Sequence, residues 1–426
     1  MGNLVTIWAE WLRPSAGLVT VQWSLLLAVA TIAGYLVQRY IGLPKVVGYA
    51  LVGSLAGFAG FTGAVWPLSG TGLFVLELAI AVVLFEAGGR IPLRWFRHNP
   101  MVLAQSIAES TLTYVAVNLG LQWLGVASAV AHPLALVAVA ASPAVLMRVA
   151  MDARASGPVT ERAMVLATLS TLYALSLGTV QAELEQRQQL HLLDSLQPVA
   201  LLLGLSIIVG AVLAFALRLA LKVMSPTSEN TSILLLALIA AATGIASHLG
   251  GSAPIAALLG GMLLKQVSPR PWAWPRQMGT AASLLTMMMF VLVSVVAAQS
   301  DWNMKVAGLV LALLALRGLA KVVGVALGNI GSGASWRQAL WVGCALAPMS
   351  SIALLIASQF ALMQGATGRM IAQTALPAIL LMELLGAVIA TVALHRAGEA
   401  SQHWLPQWRG RDDPGALAAE GEERET

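Results

Sequence analysis

Four carboxylates, Glu77, Glu86, Glu109 and Glu383, sit inside long apolar runs of this 426-residue chain. Two basic residues, Arg317 and Lys321, interrupt another apolar run four residues apart, which puts them on one face of a helix. Ionisable side chains in a membrane-crossing segment are costly and stay where they pair with one another or mark the path of an ion or a proton. The chemistry this set can do is the holding and exchange of small charges. No catalytic residue and no cofactor is expected, and no Cys/His cluster has zinc spacing. A pair of breaks stands beside the charges. Ser142-Pro143 interrupts one apolar run, and Pro348, followed by Ser350 and Ser351, interrupts another. Proline removes a helix hydrogen bond, and inside lipid the freed backbone groups must be satisfied again by protein, water or ions. Interrupted helices at corresponding places in two halves of a chain are the best sequence pointer to a transporter's binding site.

The elements that must carry these residues follow from composition. Hydrophobic residues make up 58% of the chain and charged residues 10%, with a mean hydropathy of +0.81. Soluble domains carry roughly 25% charged residues, so the chain reads as an all-α polytopic membrane protein. About thirteen spans of the length a bilayer needs fall near 18–38, 44–61, 70–89, 101–124, 127–149, 160–181, 197–221, 231–249, 252–268, 279–299, 304–328, 336–360 and 370–394. Residues 1–17 read as an N-terminal segment without a cleavable signal, 18–395 as the transmembrane domain, and 396–426 as a disordered, charged tail. Alternate loops hold most of the basic residues, among them Arg39, Arg94, Arg97, Arg148, Arg162, Lys265 and Arg396. The positive-inside rule then places the N-terminus outside and the C-terminus in the cytoplasm of a plasma or inner membrane. The pI near 9.7 reflects this topology and not a nucleic-acid partner.

The broken spans are the fifth and the twelfth. They are seven apart, so they cross in opposite directions, as an inverted repeat requires. The repeat units would be spans two to six and nine to thirteen, with the two broken helices crossing.

Several stretches in order resemble the monovalent cation:proton antiporter superfamily, the group of Kef-type and sodium/proton exchangers. They are Gly42-Leu-Pro-Lys-Val-Val-Gly-Tyr, Leu84-Phe-Glu-Ala-Gly-Gly, Ser142-Pro143, His248-Leu-Gly-Gly-Ser and the basic Leu313-Leu-Ala-Leu-Arg317 stretch. The resemblance implies a core domain that moves against a dimerisation domain, a homodimer, and exchange of sodium or potassium for protons by alternating access. It also implies an acidic pair in span six, where this chain has Ser170-Thr171.

The coupling carboxylates are therefore sought in Glu86 and Glu109. Glu86 matches a family variant whose carboxylate lies beside the ion site, or else it neutralises Arg90 at (i, i+4). Glu109 is expected to pair with Arg317, and Lys321 either shares in the charge balance or reaches for the membrane surface. Ser142, Ser170, Thr171, Ser350 and Ser351 could offer neutral oxygens to an ion, or simply satisfy backbone at the breaks. Glu77 and Glu383 are expected to have structural partners or to be protonated. The missing acidic pair keeps two other readings open: a paralogue that moves another solute or is uncoupled from protons, and a transport-dead sensor or assembly partner.

Overall fold

The computed structural model describes residues 16–61, 70–91, 100–187, 192–225, 228–267, 276–300, 302–349, 351–361 and 365–401. Most of the N-terminal segment and of the charged tail lies outside these residues, as do Arg94, Arg97 and Ser350. The elements run α1 (Ala16–Leu36, continued by a π-helical turn Val37–Ile41), α2 (Lys45–Phe58), α3 (Gly70–Gly89), α4 (Pro100–Trp123), α5 (Ser128–Val139), α6 (Pro143–Asp152), α7 (Pro158–Arg187) and α8 (Leu192–Val223). They continue as α9 (Glu229–Leu249), α10 (Ala253–Val267), α11 (Arg276–Ala298), α12 (Met304–Leu327), α13 (Trp336–Ala345), α14 (Ser351–Ala361) and α15 (Ala366–Arg396). Among the described residues the β content is one isolated bridge, Ala155 to Ala400.

Nine of these helical segments, counting α5 and α6 as one, are long and apolar enough to cross a bilayer, and α2, α10 and α14 are shorter apolar helices. The chain is a multi-pass, all-helical membrane protein. The polar helix α4 shows how it is built. Gln105, Ser106, Glu109, Ser110 and Thr113 on α4 are buried, whereas Leu103, Ile107 and Leu119 are exposed. The polar stripe faces protein and the apolar stripe faces out, the reverse of a soluble amphipathic helix.

Helix contacts are dense within two groups and sparser between them: α4–α7 with α12–α15, and α1–α3 with α8–α11. In the second group α2 packs on α11 and α3 on α10. Small residues make these approaches possible, as in other membrane interfaces. A Cβ at Gly53 of α2 would stand 2.7 Å from the Val291 carbonyl of α11. A Cβ at Gly261 of α10 would collide with the Phe85 carbonyl of α3. These contacts exchange when spans two and three are swapped for nine and ten, the pattern expected of a repeat. In the first group, α12 is drawn against α4 by Gly324 and Gly328, whose added Cβ atoms would lie 2.6 Å from the Glu109 Cα and 2.5 Å from the Gln105 Cα.

The alternate loops rich in basic residues meet at one end of the bundle, called here the basic end. The Lys45 amide donates to Asp152 at 3.0 Å, and Arg162 donates to the Ser332 hydroxyl at 3.0 Å. The chain after α15 folds back to the start of α7. There the Glu399 carboxylate accepts from the Val159 and Thr160 amides and from the Thr160 hydroxyl, each at 2.7 Å. These amides are orphan donors of a helix N-terminus, where a negative charge is also favoured by the helix dipole. Glu399→Ala is therefore expected to cost about 1–2 kcal/mol, read as a lower thermal midpoint of the purified protein. An unchanged midpoint would show that the cap contributes nothing.

Candidate functional site

The helical runs expected as the fifth and twelfth spans are interrupted at Pro143 and Pro348, as the sequence predicts. Helix α5 ends at Val139, Ala140 leaves the helical region with ψ 128°, and α6 begins at Pro143 with Ser142 as its N-cap. The Ser142 hydroxyl accepts from the Val145 amide at 3.1 Å, and Pro143 stands where the first-turn amide would have no helical partner. Helix α13 ends at Ala345 and α14 begins at Ser351. The two interruptions touch: the Ser142 amide donates to the Pro348 carbonyl at 3.1 Å. Ser351 is buried at the start of α14, and Ser350 lies outside the described residues.

Two helices that stop inside protein leave carbonyls without partners. Arg317 of α12 takes most of them. Its Nε donates to Ala138 at 2.9 Å and its Nη2 to Ala140 at 2.9 Å, both from the end of α5. Its Nη1 donates to Ala347 at 2.5 Å, and Nη2 also approaches Leu346 and Pro348 at 3.3 and 3.2 Å, all from the end of α13. The planar five-donor fork of a guanidinium can serve both ends at once, which an ammonium cannot. One turn further on, Lys321 donates to the Val139 carbonyl at 3.0 Å and forms a buried ion pair with Glu109. Ser110 donates to the other oxygen of Glu109 at 3.1 Å.

These contacts correct two expectations. Arg317 does not bond to Glu109 but to backbone, and Lys321, which is 0% exposed, does not reach for the surface. Arg317 and Lys321 against Glu109 leave one positive charge, and it stands at the carbonyl ends of α5 and α13, where the helix dipole favours it.

The hydroxyls are mostly occupied with backbone. Thr171 donates to the Ala141 carbonyl at 2.5 Å and Ser170 to Ala167 of its own helix at 3.2 Å. Their lone pairs remain to accept or ligate. Glu86 accepts from Arg90 at 2.8 Å, so the (i, i+4) pair forms. The same carboxylate lines a cavity of about 190 Å³ with Ala144, Arg148, Ser283 and Thr286. A neighbouring cavity of about 560 Å³ shares Arg90, Met147 and Met151 and extends to Arg154, Thr160 and Glu161. The two flank α6 at the basic end, between the two helix groups. Glu86 therefore shares a cavity with the first turn after the span-five break, while Glu109 reaches that break through Lys321. Glu77 has Ser247 at 3.5 Å.

A buried junction of two interrupted helices, flanked by a cavity carrying a carboxylate, is the arrangement of a membrane transporter. The sequence agrees. The family model described as the transmembrane sodium/hydrogen exchanger matches residues 27–397. The chain belongs to that family of cation:proton exchangers and is not an enzyme. Its fold is similar to the sodium proton antiporter MjNhaP1 from Methanocaldococcus jannaschii. The structure of that protein at pH 8 aligns with a TM-score of 0.64 and 14% identity over 89% of this chain and 96% of that one. A second MjNhaP1 structure, from an electron-microscopy map, gives 0.70 and 16% over 92% and 100%. No curated protein sequence matches.

One contact the sequence reading did not find is a buried hydrogen bond of Ser294 to Glu383, at 2.9 Å. The available signal was an acid within Leu380-Leu-Met-Glu-Leu-Leu, with no basic residue at helical spacing on its own span.

Removing one member of the buried ion pair leaves the other uncompensated. Glu109→Gln is expected to destabilise by about 3–5 kcal/mol, and the double change with Lys321→Met to recover most of that loss. A double-mutant cycle on thermal midpoints checks it. Additive losses would mean the pair is not coupled.

Proposed function

We propose that the protein exchanges a monovalent cation, sodium or potassium, for protons by alternating access. The observation that carries this reading is the place of Glu86: a carboxylate in a cavity that adjoins the span-five break and lies between the two helix groups. A carboxylate there can hold either a proton or a cation, and Arg90 is its partner when neither is present. Movement of the group α4–α7 with α12–α15 against the other would close this cavity and open a path on the opposite side. Glu109 changes role in this reading. Held by Lys321 and 0% exposed, it balances charge at the junction and does not meet the transported ion directly.

The same reading takes the nine long segments as crossings, together with α2, α4, α10 and the broken pair α13–α14, for thirteen in all. The basic end then faces the cytoplasm, with the N-terminus outside, in a plasma or inner membrane. A homodimer is proposed on the family resemblance, through the group that contains α1 and α8, whose outer faces expose Leu25, Ile32, Ile208 and Val212.

A second reading is favoured by Ser170 and Thr171, which stand where relatives are expected to carry acids and which donate to backbone carbonyls; in it the protein is uncoupled from protons. One assay separates the two. In proteoliposomes with a preset pH gradient, addition of sodium or potassium should collapse the gradient, and Glu86→Gln should slow this at least several-fold. Exchange at the wild-type rate in Glu86→Gln would remove Glu86 from the mechanism. No response to either cation across the range where carboxyl and imidazole groups titrate would leave the uncoupled reading.

A further inference from the structure

Glu383 lies on α15 and is 1% exposed, and its Oε2 accepts from Ser294 of α11, which is 0% exposed. Among the described residues, no Lys, Arg or His forms an ion pair with it. It differs in this from Glu109 and Glu86, each of which faces a cation. A carboxylate at membrane depth with no opposite charge is among the costliest groups a protein can hold. Its carboxyl is stable there only with a charge of its own added, a proton or a small cation.

Its position is as telling as its environment. α15 belongs to one helix group and α11 to the other, so the hydrogen bond spans the seam between them. One turn along α15, Gly386 lies directly against the span-twelve break, where an added Cβ would be 2.6 Å from the Pro348 Cα. The corresponding contact in the other half is Thr171 of α7 on the Ala141 carbonyl. On the far side of the seam, Gly53 of α2 packs on Ser294, with an added Cβ 2.9 Å from the Ser294 Cβ. Along α11, Thr286, Phe290 and Ser294 follow at four-residue steps and so share a face. Thr286 lines the cavity that holds Glu86, and Phe290 is fully buried. One aromatic side chain on that face separates the cavity's helix wall from the partner of Glu383.

We propose that Glu383 is a second proton-carrying carboxyl of the exchange cycle, held by Ser294 across the seam in one state and freed from it when the helix groups shift. The inference rests on the exchange reading. With Ser294 in place, the carboxyl keeps its proton. When the groups move, the hydroxyl leaves and water or a cation enters. The O–H bond of the carboxyl breaks, the proton passes to water, and a monovalent cation replaces its charge at the carboxylate. The seam carries the same net charge before and after. The other ionisable groups on helices packed against α15 are engaged elsewhere. Arg317 and Lys321 of α12 serve the junction, Arg148 and Asp152 of α6 bond to Ser283 and the Lys45 amide, and His132 of α5 meets Tyr114. Cys344 of α13, Tyr49 of α2 and the basic residues near helix ends, Lys45, Lys305, Arg337, Arg369, His395 and Arg396, are the others; among the described contacts none bonds to Glu383.

The test uses the full chain in liposomes. Glu383→Gln, which keeps the shape of the neutral acid, should reduce cation-driven proton movement at least tenfold, and Glu383→Asp should retain part of it. Ser294→Ala should move the pH of half-maximal exchange, and an unmoved pH profile would remove Ser294 from the proposal. Wild-type rate and pH profile in Glu383→Gln would overturn the proposal. A pH-jump infrared difference spectrum reads the site without transport. The wild type should show a band for a buried, protonated carboxyl that changes with pH and is missing in Glu383→Gln, and Glu383→Asp should shift it. If Glu383→Gln leaves every such band in place, Glu383 carries no exchangeable proton. A wild type that moves no protons removes the exchange reading, and the infrared band still decides Glu383 by itself.

Discussion

The structure depends on how it treats the carbonyl ends of two helices that stop inside the membrane. Ending α5 at Val139 and α13 at Ala345 frees backbone acceptors where water is scarce, and each orphan group costs several kcal/mol in hydrocarbon. A single guanidinium answers for both ends, and Lys321 one turn away takes a further carbonyl together with Glu109. This explains why two cations can sit fully buried on one helix. Each meets a dipole end that needs positive charge, and Lys321 is also paired with Glu109. It also explains why α12 must lie so close to α4. The carboxylate of Glu109 reaches Lys321 because Gly324, on the turn beyond, brings the two backbones together.

The remainder of the bundle follows from packing without a hydrophobic drive. Between membrane helices, association rests on close contact and internal hydrogen bonds. The glycines that carry it are concentrated within each helix group: Gly53 and Gly57 on α11, Gly88 and Gly261 between α3 and α10, Gly324 and Gly328 on α4. Across the seam the described polar contacts are few and single: Arg148 with Ser283, Asp152 with the Lys45 amide, Ser294 with Glu383. Tight interiors and a sparsely bonded seam are what relative motion of two bodies needs. The first two contacts lie at the basic end beside the cavities, so opening or closing there exchanges a small number of hydrogen bonds and leaves the glycine-packed interfaces intact.

The breaks were legible in the sequence because proline acts through its own covalent structure, and the apolar helices were legible because lipid imposes one length. What proline frees, and who satisfies it, was not. Arg317 and Lys321 share a helix face, and the sequence gives that face without the depth of each residue. One turn decides which of them meets an acid and which meets carbonyls, so the pairing of Glu109 fell to Lys321. The Glu86–Arg90 pair was readable since both residues lie on one helix at a fixed spacing. The bond of Ser294 to Glu383 was not, because it joins α11 and α15, and no local pattern fixes which serine a distant acid will face.

The absence of acids from span six then has a structural meaning. In this chain Arg317 and Lys321 are already engaged by carbonyls and Glu109. An added carboxylate at Ser170 or Thr171 would compete with those partners for the two cations, and one at Thr171 would lose the hydrogen bond to Ala141. Coupling by a carboxylate placed away from the junction avoids both costs. Two of the buried or cavity-lining acids, Glu86 in its cavity and Glu383 at the seam, lie between the helix groups. A site between moving bodies feels their displacement directly, whereas one inside the junction would feel it only if the junction itself came apart.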